Sequence, residues 1–147
     1  MATPEEFLSA EEKKRVAHAI ALAERNTSGE VRVYVEKKCK EDPYKRAVNV
    51  FHQLKMHRTM FHTGVLLYIA HADQKFAIVG DQGIHEKVPA NFWDEERALL
   101  ASHFSEGRFA DGLVAAITAC GDHLRKHFPM DGNNPDELSN EVVIGNE

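Results

Sequence analysis

The sequence predicts a single α/β domain in which helices enclose a small mixed sheet, and three observations carry that prediction. With 147 residues, the chain has the length of one ordinary domain and is too short for two that each bury a sizeable core. Its apolar residues recur at the helical spacing in some segments and alternate, or run continuously, in others. These segments follow one another in the order αβαββαα before an acidic tail, so strands and helices alternate within one compact unit.

The first helix starts at Ser9-Ala-Glu-Glu12, a capping-box spacing in which hydroxyl and carboxylate satisfy each other's orphan backbone donors. Val16, Ala19, Ile20 and Ala23 give it one apolar face, and Asn26 to Gly29 stop it. From Glu30 to Glu36 the period becomes two: Val31, Val33 and Val35 lie on one side, with Glu30, Arg32, Tyr34 and Glu36 on the other. Pro43 opens a second helix with an apolar stripe of Tyr44, Ala47, Val48, Phe51 and Leu54 that fades near Met56. Gly64 to Ala70 is continuously apolar, as a strand covered on both faces requires, and turns back into Lys75–Gly80 as a hairpin. After Gly80-Asp-Gln-Gly83, Asn91 is the expected cap of a helix carrying Trp93, Leu100 and Phe104 that ends at Gly107. The last helix carries Phe109, Leu113, Ala116, Ile117, Cys120 and Leu124 on one face and closes before Pro129. The expected core contains Phe51, Leu67, Ile78, Trp93, Leu113, Ile117 and Leu124.

A domain boundary is drawn at about residue 130 on charge. Residues 131–147 hold five acids and no Lys or Arg, which leaves 18 basic and 18 acidic residues in 1–130. The tail reads as an appendage that keeps a neutral body soluble, with a short strand at 141–144, and its removal is expected to leave the fold intact. A neutral body lacks the cationic surplus that phosphate contacts need, so nucleic acid is excluded as a partner. No basic and apolar leader opens the sequence, and no apolar run approaches the roughly 20 residues that span a bilayer. The expectation is a cytoplasmic protein away from membranes, with Cys39 and Cys120 as free thiols.

If the strand–helix–strand unit from Glu30 to Ala70 makes the usual crossover, strands one and two are parallel and strand three opposes them. The starts of strands one and two and the end of strand three then share a sheet edge. Glu30 and Asp81 meet there, with Thr27, Ser28 and Thr63 beside them, and Glu86, Asp94 and Glu95 follow closely. Carboxylates on Gly-flanked turns suit a hard cation: calcium first, with magnesium the alternative because it demands a more regular octahedron. The plainer readings are a local turn hydrogen bond for Asp81 and dipole complementation for the acids at 94–96. His52, His57 and His62 recur every five residues, which does not place them on one helical face, and no His-Glu-x-x-His occurs. Zinc is therefore not expected. The basic residues between Lys37 and Arg58 read as a solvated face, and no nucleophile elbow, P-loop or dinucleotide fingerprint occurs.

Taken together, Phe7-Leu-Ser-Ala-Glu-Glu12, Thr27-Ser-Gly-Glu-Val-Arg-Val33, Gly64-Val-Leu-Leu-Tyr68, Ile78-Val-Gly-Asp-Gln-Gly83, Phe92-Trp93 and the Phe104, Gly107, Phe109, Gly112 series resemble the TPM-domain family over residues 5–128. That resemblance implies a three-layer α/β/α sandwich, divalent-cation binding in an acidic groove, and a phosphatase label carried by some members. Carried over to this chain, the groove residues are Glu30 and Asp81. The absence of a leader and of a membrane helix resembles the stand-alone bacterial form. The function expected is a calcium-binding module that presents its groove to an unknown protein partner, with a weak metal-assisted phosphomonoesterase as the alternative. No catalytic base or nucleophile can be named from the sequence.

Overall fold

The computed structural model describes residues 3–130 and 138–145. Its elements are α1 (Pro4–Phe7), α2 (Ala10–Ala23), β1 (Glu30–Glu36), α3 (Pro43–Gln53), a single 3-10 turn at Met56–Arg58, β2 (Gly64–Ala70), β3 (Lys75–Gly80), α4 (Gln82–His85), α5 (Asp94–Ser105), α6 (Phe109–His127) and β4 (Val143–Ile144). The three expected strands have the expected limits, and the capping box at Ser9 forms in both directions, at 3.1 and 2.8 Å. The helices α1 and α4 were not expected; each has four residues, about one turn, too short to show a period.

The sheet runs in the order β3-β2-β1-β4, with β1 parallel to β2 and to β4, and β2 antiparallel to β3. Helices cover both faces, which makes the three layers. Val31, Val33, Val35, Val65, Leu67, Ile69 and Ile78 pack with the residues of α2, α5 and α6. On the opposite face Leu66, Tyr68, Ala77 and Val79 pack with Ala47, Val50 and Phe51 of α3. All seven expected core residues are buried. The stripe of α3 is rotated from its expected position: Val50 is buried, whereas Tyr44 is 44% exposed.

Part of the tail belongs to this architecture. Val143–Ile144 pair with Tyr34 and Val35 of β1, and the Gly145 amide donates to the Val35 carbonyl at 2.8 Å. Leu138 is buried against the α3 side of the sheet. The boundary at residue 130 is thus one of composition; the expected strand is present and closes the sheet. Residues 131–137 and 146–147, which hold most of the tail acids, lie outside the described residues.

Between α5 and α6, Glu96 is 1% exposed, and one of its oxygens receives the His123 ring nitrogen at 2.6 Å. Burial pushes the Glu96 carboxyl upward, outweighing the opposing His123 contact. Because the folded state holds this proton more tightly than the unfolded chain, the associated stability is full below the unfolded pKa and is lost as pH rises through the folded one. Glu96→Gln, always neutral, should therefore gain stability relative to the native chain as pH rises above the ordinary Glu value of about 4.3. Urea unfolding at several pH values checks this, and a pH-independent difference between the two proteins would refute it.

Candidate functional site

The edge that gathers the starts of β1 and β2 and the end of β3 is built by backbone contacts around Gly64. Glu30 pairs with Gly64 across β1 and β2, its amide donates to the Thr63 carbonyl at 3.2 Å, and the Asp81 amide donates to the Gly64 carbonyl at 2.8 Å. Thr63 in turn donates its hydroxyl to the Ser28 carbonyl at 2.8 Å. Strand alternation places Glu30, in step with Tyr34, and Asp81, in step with Val79, on the α3 face. Both are nearly buried, at 5% and 7% exposure.

Around Gly64 this edge is lined by apolar groups: a Cβ placed there would lie 3.7 Å from the Met56 methyl and 3.8 Å from Leu138 Cδ1. Glu30 Oε1 accepts the Leu138 amide at 2.8 Å. Asp81 starts α4: its Oδ1 accepts the Gln82 amide at 2.7 Å, and its carbonyl receives the Ile84 and His85 amides. Its Oδ2 is buried without a hydrogen-bond partner, and His62 Nδ1 stands 3.6 Å away. An unsatisfied carboxylate oxygen at this depth is costly unless something charged or hydrogen-bonding meets it.

Asp81 opens onto a groove of about 540 Å³ between α3 and α4, lined also by Tyr44, Phe51, His52, His57, His62, His85 and Glu86. The five-residue spacing of His52, His57 and His62 does not place them on one helical face. They converge because the chain leaves α3 through left-handed backbone at Lys55 (φ 59°), folds through the 3-10 turn, and reverses again at His62 (φ 54°). The rings of His52 and His57 lie 4.8 Å apart, and His57 Nδ1 is buried without a hydrogen-bond partner. Gly83 pins the second reversal: its amide donates to the His62 carbonyl at 2.8 Å, and a Cβ there would stand 2.4 Å from that oxygen. The five-residue spacing was the available signal, but reading it required the loop path.

The remaining predicted site residues are divided between places. Glu86 lies on the groove and accepts the Gln82 side-chain amide at 3.0 Å. Asp94 accepts Arg97 at 2.8 Å, and Glu95 approaches His123 at 3.5 Å, both on the α5–α6 layer. Among the described residues, no three His, Cys, Asp or Glu side chains already converge as a metal shell. Asp81 and Glu86 can supply two oxygen donors, and the orphaned Asp81 oxygen is the feature that fits a cation. The described lining residues include one hydroxyl, the Tyr44 phenol, and no thiol.

At the other end of β1, the buried Glu36 carboxylate forks with Arg46 through two bonds of 2.9 Å and accepts the Tyr68 hydroxyl. Burial, followed by the Glu36 contact, pushes the Tyr68 phenol far up, so it remains a hydrogen-bond donor. The Glu36 hydrogen bond also raises Arg46, against the effect of burial. This network ties α3 to the sheet. Among the described residues, no helix is long and apolar enough to cross a membrane.

The TPM domain profile matches residues 1–123. Among solved structures, the chain is similar to the BA42 protein of the psychrophilic bacterium Bizionia argentinensis, at 46% identity and a TM-score of 0.91, over 99% of this chain and 100% of that one. The N-terminal domain of a P. gingivalis protein shares the fold at 15% identity and TM-score 0.70, over 88% of this chain and 83% of that one. The N-terminal domain of a Corynebacterium glutamicum protein does so at 12% and 0.64, over 80% and 74%. No curated protein matches.

Proposed function

The chain belongs to the TPM-domain family, and from that premise we propose that it is a weak phosphomonoester hydrolase assisted by a divalent cation held in the α3–α4 groove. The observation that carries this reading is the Asp81 carboxylate, 7% exposed and lining the groove, with Oδ2 lacking a hydrogen-bond partner. Asp81 and Glu86 are the residues that would hold the ion. Two carboxylates leave most of a coordination shell to water and substrate phosphate, a pattern magnesium uses routinely and calcium tolerates. When bound, the ion would polarise a phosphoryl oxygen and neutralise its charge.

The chain's own groups divide the remaining work. Asp81 keeps its orientation because Oδ1 is fixed on the Gln82 amide, leaving Oδ2 for the ion. His62, with 54% of its side chain exposed, can turn away from Asp81 to admit ion and substrate. Tyr44, Phe51 and Val79 offer an apolar wall to the ester group. With no thiol or aliphatic hydroxyl among the described lining residues, hydrolysis proceeds by water rather than through a covalent Ser or Cys intermediate.

The second reading, a calcium-binding module that presents the groove to a protein, is favoured by the same absence of a thiol or aliphatic hydroxyl among the described lining residues. Both readings are tested by hydrolysis of p-nitrophenyl phosphate in calcium, in magnesium and in chelator. The expected result is cation-dependent turnover lost in Asp81→Asn, with a drop of about 10²-fold or more when a ligand to the ion is neutralised. Cation binding without turnover in the native chain would select the module; turnover unaffected by chelator and by Asp81→Asn would refute the hydrolase reading.

A further inference from the structure

On the layer opposite the groove, α5 begins beside the end of α6, and a second set of donors meets there. His123 and His127 are four residues apart on α6 and so share one helix face. The Phe92 ring packs against both, with centroids 5.2 and 5.1 Å away. Glu96 Oε2 lies 2.6 Å from His123 Nδ1, and an ionised Glu96 there holds the proton of the neutral ring on Nδ1 and leaves Nε2 with its lone pair outward. Facing that nitrogen, at 3.5 Å, is Glu95 Oε1. Two donors of a tetrahedral zinc, each bound at about 2.0–2.2 Å, stand about 3.4 Å from one another. The His123–Glu95 pair is therefore already spaced as two ligands of one ion. Glu96 is 1% exposed and its other oxygen, Oε1, is buried without a hydrogen-bond partner. One imidazole thus stands between two carboxylates, a surplus of negative charge that a cation would offset.

We propose that Glu95, His123 and His127 bind a zinc ion, with Glu96 as the buried carboxylate that orients His123 and with the fourth position open to water. Glu95 and His127 are exposed, so rotation of their side chains completes a shell that is not assembled among the described residues. Nitrogen donors and a single carboxylate favour zinc over calcium or magnesium, and three protein ligands leave the site open rather than closed as in a structural zinc knot. This site shares no donor with the Asp81 groove and does not depend on it.

Calorimetric titration of the full chain with zinc chloride near neutral pH tests the proposal, with X-ray absorption to identify the donors. The expected result is one equivalent bound through nitrogen and oxygen without sulfur. His127→Gln, an exposed change that leaves the fold intact by circular dichroism, should weaken binding at least tenfold; Glu96→Gln should weaken it about 10–100-fold through His123 alone. Asp81→Asn should leave zinc affinity unchanged. Unaltered affinity in a His123→Gln, His127→Gln double variant would overturn the proposal, as would loss of zinc only in His52→Gln, His57→Gln or His62→Gln.

Discussion

Replacing Glu36 with alanine is expected to lower the unfolding free energy by about 3–5 kcal/mol, the cost of leaving a buried ionic partner uncompensated. The carboxylate is 1% exposed and receives both forks of Arg46, whose own side chain retains 22% exposure and can reach some water. That exposure puts the expectation near the lower end of the range. The change also removes the carboxylate acceptor of the Tyr68 hydroxyl in the α3-side core, leaving it only the weaker Cys39 sulfur. The double change Glu36→Leu, Arg46→Leu should be less destabilising than the sum of the single ones, because it removes both charges together. Equilibrium urea denaturation of the native chain, Glu36→Leu, Arg46→Leu and the double variant measures this coupling. Additive effects, or a Glu36→Ala cost below about 1 kcal/mol, would show that the pair behaves as a surface salt bridge.

Truncation after Met130 should cost at least as much. Leu138 is 9% exposed, and its loss alone is comparable to a core Leu→Ala change, about 2–5 kcal/mol. Truncation also removes the Leu138 amide from Glu30 and β4 from Tyr34 and Val35. The charge argument leads to the opposite expectation, a dispensable tail. Comparing the truncated chain with full-length Leu138→Ala separates the plug from the strand. A truncated protein with native stability would return the segment to the status of an appendage.

That contrast shows where the sequence was legible. Composition marks an acidic tail, but an isolated leucine between polar residues gives no periodic signal, so Leu138 could not be placed against Gly64 in advance. The alternation in β1 was readable because one residue in two faces each helical layer. The edge shared by Glu30 and Asp81 was readable because the topology fixes it. The apolar filling beside Gly64 was not, since it depends on Met56 and Leu138 arriving from distant parts of the chain. His52, His57, His62 and His85 carried the right residue types. Their convergence depends on left-handed backbone at Lys55 and His62, residues that do not announce such turns as Asn or Gly do. His123 and His127 were never singled out, because a histidine pair on an amphipathic helix acquires meaning only when Glu95 and Glu96 arrive from α5.

Crystals soaked separately in calcium and manganese, read by anomalous diffraction, show whether Asp81 holds the groove's cation. A peak is expected in the α3–α4 groove, with calcium about 2.3–2.6 Å from Asp81 Oδ2, Glu86 in reach directly or through water, and no groove peak in Asp81→Asn crystals. An ion bound among Asp94 and Glu95 with Asp81 unliganded, or an unchanged groove peak in Asp81→Asn, would contradict it.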